Sequence, residues 1–180
     1  HDDVQIVAAL ARARPRLLLW LGRSSRFRRM SPSLHRAVPQ LSVIASDGFG
    51  AAGLGDDPDH AFDGVRYVQL VDFTHPTPGL AELQSRFAAR GWHDLDDQAV
   101  LSYDAVLLLA AAIEQGGAKR EAIRDWLAEV GRARPPFAGA SGPISFDENG
   151  DREPSYHLVE VGASAPGDPA SRRPAAPAGG

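Results

Sequence analysis

At 180 residues the chain can form one domain with a real core, and its 43% hydrophobic and 23% charged residues are ordinary for a globular protein. The absence of cysteine excludes disulfides, thiolate metal sites and a cysteine nucleophile, without naming a compartment. The net charge of −4 hides an uneven distribution: Arg12 to Arg36 holds eight arginines and no Asp or Glu, while the rest carries eleven basic against twenty-three acidic residues. A basic block of this kind suits phosphate or nucleic acid. Set on either side of a short apolar run, it reads instead as two solvated helix faces flanking a strand, and no nucleic-acid partner is expected. No run approaches the roughly 18 apolar residues of a membrane span, so no direct membrane insertion is expected. His1-Asp2-Asp3 is acidic and lacks an apolar stretch, so no signal peptide is read here, and a start at His suggests a processed or truncated product.

Apolar residues at 4, 6, 7, 10 and 11 predict a helix that Pro15 ends. Leu17-Leu-Leu-Trp-Leu21 is a continuous apolar run, the pattern of a strand buried on both faces of a parallel sheet. Ser24 or Ser25 is placed to cap a helix through Leu34 and Val38. Leu41-Ser-Val-Ile-Ala45 is the next strand, closed by Ser46-Asp47-Gly48. Helix, strand, helix, strand with short links is the grammar of an α/β layer with a parallel sheet and flanking helices. The Gly- and Asp-rich stretch 51–63 is expected to hold one short helix. A third strand is predicted over 64–73, with Val65, Tyr67, Gln69 and Val71 on one face.

After the loop Thr74-His-Pro-Thr-Pro-Gly79, helices are predicted from Leu80 to Arg90, from Asp97 to Gln115 and from Lys119 to Val130. The last has Ile123, Trp126, Leu127 and Val130 as its apolar stripe. Gly142-Pro-Ile-Ser-Phe-Asp-Glu-Asn-Gly-Asp151 then runs a short strand into Asn-Gly, a dipeptide that accepts the positive φ of a tight hairpin turn. Tyr156-His-Leu-Val-Glu-Val161 is expected to return as its partner. The Ala-, Pro-, Gly- and Ser-rich residues 162–180 read as a disordered tail.

Taken in order, Arg14-Pro15 before an apolar strand, the strand ending in Ser46-Asp47-Gly48, the Gly64-Val65 strand, the Ser102-Tyr103-Asp104-Ala105 helix and the Gly-Pro-Ile-Ser-Phe-Asp hairpin resemble the type I periplasmic binding proteins. These are the branched-chain amino-acid receptors of ABC transporters, and the likeness covers about Asp3 to Val161 of their C-terminal portion. The resemblance implies two α/β lobes joined by hinge strands, with ligand held in the cleft between them. It implies an incomplete two-lobe architecture here: 1–73 as part of the second lobe, 74–141 as helices that normally pack on the first, and 142–161 as a hairpin returning to the hinge. Helices whose usual sheet is not encoded would be exposed or repack.

Among candidate site residues, Asp47 ends a parallel strand, where α/β sheets place ligands. The resemblance puts a carboxylate near it against a ligand ammonium; the alternative is a turn former with Gly48 or a cap. Gly22-Arg23-Ser24-Ser25 follows a strand and opens a helix, a geometry that binds anions through free N–H groups. Arg23 stands where the resemblance implies a cleft-lining side chain and would favour a ligand carboxylate or phosphate, against an ordinary strand-to-helix turn. Gln98 is placed near the cleft by resemblance, against a plain first-turn position. Tyr103 and Asp104 read as structural, Tyr packing and Asp tying a neighbouring loop, and Trp20 as core.

Asp56-Asp57-Pro58-Asp59-His60 and His93-Asp94-Leu95-Asp96-Asp97 gather hard ligands without the helical His spacing of a zinc protease. The Asp147–Asp151 stretch resembles a calcium loop, but its glycine falls too early and Leu158 stands where the closing acid belongs. No metal site, no cofactor and no catalysis are expected. The implied function is capture of a small ligand, an amino acid or similar, by an extracytoplasmic substrate-binding protein serving an ABC permease or a sensory partner. The alternatives are a sensory or interaction module of the same fold, and a non-functional fragment.

Overall fold

The stripe at residues 4 to 11 forms α1 (Asp2–Ala13) and turns Ile6, Val7 and Leu10 toward the core. The computed structural model describes residues 2–50, 54, 57, 59–92, 95–153 and 155–162. After α1 come β1 (Leu17–Trp20), α2 (Ser24–Ala37), β2 (Ser42–Ala45), a single 3-10 turn at Asp47–Phe49 and β3 (Arg66–Gln69). With β6 (His157–Glu160) these strands form one sheet in the order β1-β2-β3-β6. β1 and β2 run parallel with Leu18 opposite Val43 and Trp20 opposite Ala45, and β2 and β3 are parallel too. Among the described residues, those through Val68 and those from Leu158 belong to one compact unit, and those from Gln69 to His157 to a second.

The first unit is organised around aromatic rings. Trp20, Phe27, Phe49, Phe62 and Tyr67 are buried together with Met30, Leu34 and Val38 of α2 and Val43 and Ala45 of β2. Full burial contributes about 1.5–3 kcal/mol for each large apolar side chain, so the Phe27, Met30 and Leu34 face is what holds α2 in place. β1 departs from expectation. Leu17 and Leu19 are 48% and 64% exposed, so the strand is buried on one face only. The reason is that α1 and α2 both feed the single core on the face of Leu18 and Trp20, and Leu17 and Leu19 alternate to the other face.

Neither Ser24 nor Ser25 caps α2. Both lie inside the helix, and Arg23 is the residue before it, with extended backbone and no side-chain cap. The third strand is also shorter than predicted, and Val71 joins a different core from Val65 and Tyr67. The ladder stops because the Leu70 N–H donates to the Asp97 carboxylate at 2.8 Å rather than to a neighbouring strand.

In the second unit, α3 (Pro78–Ala89) starts on Thr77, whose hydroxyl accepts the Leu80 N–H and donates to the Ala140 carbonyl at 2.7 Å. Then follow α4 (Asp97–Gly116), α5 (Arg120–Ala128), β4 (Phe137–Gly139) and β5 (Gly142–Ile144). Asp96 caps α4 by accepting the Ala99 N–H at 2.9 Å. Two small clusters form the core here. One is built on Val71, Leu80, Leu83, Val100 and Ala140, the other on Leu108, Ala112, Trp126, Val130 and Ile144.

By length and composition α4 is long and apolar enough to cross a membrane, which corrects the expectation that no segment approaches a span. Its packing is that of a helix laid on protein. Val100, Asp104, Leu108 and Ala112, each four residues apart, form its buried stripe. Asp104, 1% exposed, accepts the Ala140 N–H at 2.6 Å, the Ser141 N–H at 2.9 Å and the Ser141 hydroxyl. Asp104 ties the loop as expected, and Tyr103 packs against the first of the two clusters.

The hairpin is a further correction. β5 pairs antiparallel with β4, and β6 goes to the sheet of the first unit. Around Asn149-Gly150 the reversal keeps one bridge, Phe146 opposite Arg152. Asp104 grips the Ala140-Ser141 turn and so commits β5 to β4. The Asp147 carboxylate meanwhile takes the Asn149 and Asp151 N–H groups and tightens the turn before a ladder can grow.

Candidate functional site

The parallel strands of the first unit end side by side, which brings two of the predicted residues to one end of the sheet. β1 ends at Trp20 and leads through Leu21 and Gly22 into α2; β2 ends at Ala45 and leads into the turn at Asp47. The two strand ends are joined, since the Ser46 N–H donates to the Trp20 carbonyl at 3.1 Å. Trp20 is buried in the core, as predicted, and its indole N–H donates to the Arg23 carbonyl at 3.3 Å, which fixes the entry to α2. Gly22 is required for that geometry: a Cβ there would sit 2.9 Å from the Trp20 ring.

Arg23 and Asp47 are both exposed, and neither makes an ion pair or side-chain hydrogen bond among the described residues. They differ in this from three arginines of α2. Arg26 and Arg29 reach Asp3 at 2.9 and 3.6 Å, and Arg28 reaches Asp57 at 3.4 Å while lying over the Phe62 ring. The hydrogen bond from Arg26 holds the Asp3 carboxyl below its ordinary pKa. Three of the eight arginines in the basic block are therefore occupied within the unit, and Arg23 is among those that are not.

The start of α2 adds to this. Its first turn contains no acidic residue and no side-chain cap, so the first backbone N–H groups of the helix remain available and the positive end of its dipole is not offset. Ser24 is buried at the head of α2, unlike Arg23 and Asp47. Gln98 is exposed in the first turn of α4 and belongs to the second unit. The structure thus brings Arg23, Ser24 and Asp47 to adjacent strand ends of one unit and places Gln98 in the other.

The acidic clusters serve the backbone. Asp57 accepts the Ala61 and Phe62 N–H groups at 3.1 and 2.9 Å, and Asp96 and Asp97 are taken up by Ala99 and Leu70. Asp56, Pro58, His93 and Asp94, and the tail from 163 onward, lie outside the described residues. Among the described residues no three His, Asp or Glu side chains are grouped to hold a metal ion.

The family model described as the receptor family ligand binding region matches residues 20–164. No curated protein matches the chain. Among solved structures, the chain is similar to the leucine-binding protein LivK of Thermotoga maritima, with 22% identity and a TM-score of 0.76 over 88% of this chain and 45% of that one. It is similar to an ABC transporter solute-binding protein of R. palustris in complex with benzoate, with 21% identity and a TM-score of 0.70 over 88% of this chain and 43% of that one. It is also similar to the C-domain of LpoA from Haemophilus influenzae, a regulator of PBP1A, with 18% identity and a TM-score of 0.54 over 88% of this chain and 46% of that one. At these identities the likeness is one of fold, and the chain spans less than half the length of each of the three.

Proposed function

The chain belongs to the family of the receptor ligand-binding region, and from that membership we propose that its first unit captures a small zwitterionic solute, an amino acid, by non-covalent binding. The observation that carries this reading is the pair of unpartnered charges at adjacent strand ends. Asp47 faces the ligand ammonium, and Arg23 with the open N-terminus of α2 faces its carboxylate. A charge-assisted hydrogen bond of this kind contributes about 1.5–3 kcal/mol. No cofactor and no covalent step enter this binding.

The 180 residues act as one part of an extracytoplasmic substrate-binding protein that delivers its ligand to an ABC permease, in keeping with their covering under half of each matched structure. The test is calorimetric titration of the full chain with each of the common amino acids. One or a few should bind saturably. Asp47→Ala should weaken that binding by at least about tenfold while the melting temperature stays put, because the side chain is exposed and holds nothing else. Unchanged affinity in that variant, or a cooperatively folded chain that binds none of the panel, overturns the reading.

A second reading, a sensory or interaction module, is favoured by α4. Val106, Leu109 and Ile113 form an exposed apolar stripe on the helix. The similar fold of the LpoA C-domain, a regulator of PBP1A, is compatible with that role. Concentration-dependent self-association lost on Val106→Lys, with no amino-acid binding, would favour it.

A further inference from the structure

A cavity of about 450 Å³ opens in the second unit between α5 and the turn after β5, and it shares no residue with the strand-end site. Its apolar part comes from Ile123 and Leu127, one helical turn apart on α5, with Ala128 and Phe146. Ile123, Leu127 and Phe146 each pack one side against the buried Leu108, Trp126 and Ile144 cluster, so this lining is backed by core. Gly150, at φ +84° with nothing near its Cα hydrogen, keeps the opposite wall low. The volume is that of a small-molecule site.

The two charged residues that line the cavity are both arginines, Arg120 and Arg124, and no Asp or Glu does so among the described residues. Arg120 begins α5 and makes no ion pair or side-chain hydrogen bond among the described residues, and the helix dipole adds to its field. Arg124 donates to the Asp125 carboxylate at 2.8 and 2.6 Å, but both partners are exposed, and solvent-exposed pairs of this sort exchange readily.

We infer that this cavity is a second binding site, for a medium-chain alkyl carboxylate: the chain lies on Ile123, Leu127 and Phe146, and the carboxylate meets Arg120 and Arg124. An apolar body alone would leave Arg120 without a partner, and a short anion alone would leave the apolar floor wet. Only a ligand with both parts complements the lining.

The experiment is titration of the full chain with octanoate, octanol and acetate, followed by calorimetry and by amide shifts of α5. Octanoate should bind saturably, with octanol and acetate each at least about tenfold weaker. Arg120→Gln with Arg124→Gln should remove the preference for octanoate over octanol and leave the melting temperature unchanged. Equal binding of octanoate and octanol, or no saturable binding of octanoate, overturns the proposal. So does a dimer that the double variant turns into a monomer without any octanoate binding, since the face would then serve self-association. Amino-acid binding at Asp47 is measured separately in the same variants, so failure of one site leaves the other standing.

Discussion

The two units of this chain reach a folded core by different means. The first is held by rings: Phe27 and Phe49 meet edge to face at 5.5 Å, Phe49 and Phe62 at 5.4 Å, and Trp20 stands against Phe27. Its polar contacts lie around that core: Arg26 reaches Asp3 across 23 residues, the Ser31 hydroxyl donates to the Ala61 carbonyl across 30, and the Asp57 carboxylate accepts N–H groups four and five residues away. The second unit has two smaller clusters, joined in sequence by carboxylates that reach far: Asp104 to Ala140 across 36 residues and Asp97 to Leu70 across 27. The lesson is one of tolerance. An aromatic core resists loss of any one polar contact, whereas a core stitched by a buried carboxylate depends on it, because each donor left unpaired costs its full desolvation.

The strongest way to test this contrast is to empty the first core. Phe27→Ala removes a ring that touches three others and should destabilise the chain by about 3–5 kcal/mol. Hydrogen exchange should show the loss in β1, β2 and α2. Next comes Asp104→Ala, which strands the Ala140 and Ser141 N–H groups and loosens Ser141, itself accepting from Arg152 at 3.0 Å. The expected cost is about 3 kcal/mol, from the donors left unpaired, with exchange rising in β4 and β5. Asp104→Asn should recover part of it, by keeping one acceptor and turning the other into a donor. Gly139 sharpens the point, since an added Cβ would lie 2.6 Å from the Asp104 carboxylate. If either variant loosens the amides of both units alike, the contrast between them is broken.

What was legible in the sequence follows the same division. The apolar stripe of α5 and the end of β2 at Ala45 could be read, and the end of β1 to within one residue, because periodicity and strand length are local properties. The exposure of Leu17 and Leu19 could not, because a run of leucines looks the same whether one face of the strand is covered or both. The pairing of β5 with β4 was hidden for a related reason: Asn149-Gly150 announces a turn, but only Asp104, far away in sequence, decides which strand β5 joins. At the candidate site, the positions of Arg23 and Asp47 were legible from the strand-end rule. Their lack of partners was not. Seven other arginines lie nearby in sequence, and only the packing of α1 on α2 gives Arg26 and Arg29 to Asp3.

The smallest effect tests how much the polar stitching matters where it is exposed. Asp147 accepts the Asp151 N–H, which lowers its pKa below the ordinary 3.8 against a smaller opposing effect of desolvation, with the Asn149 N–H adding to the shift. A carboxylate with a depressed folded pKa favours the folded state above its unfolded pKa, near 4, and that contribution fades as pH falls through the folded value. Asp147→Asn keeps an acceptor for the same N–H groups but cannot titrate. Its stability at pH 7 should stay close to that of the parent, and its decline below about pH 4 should be shallower. A carbon-detected titration of Asp147 should give a midpoint under 3.8. A midpoint at or above that value, or identical acid limbs for parent and variant, would mean that this turn is held by Gly150 and its backbone alone, leaving Asp104 as the carboxylate on which the second unit depends.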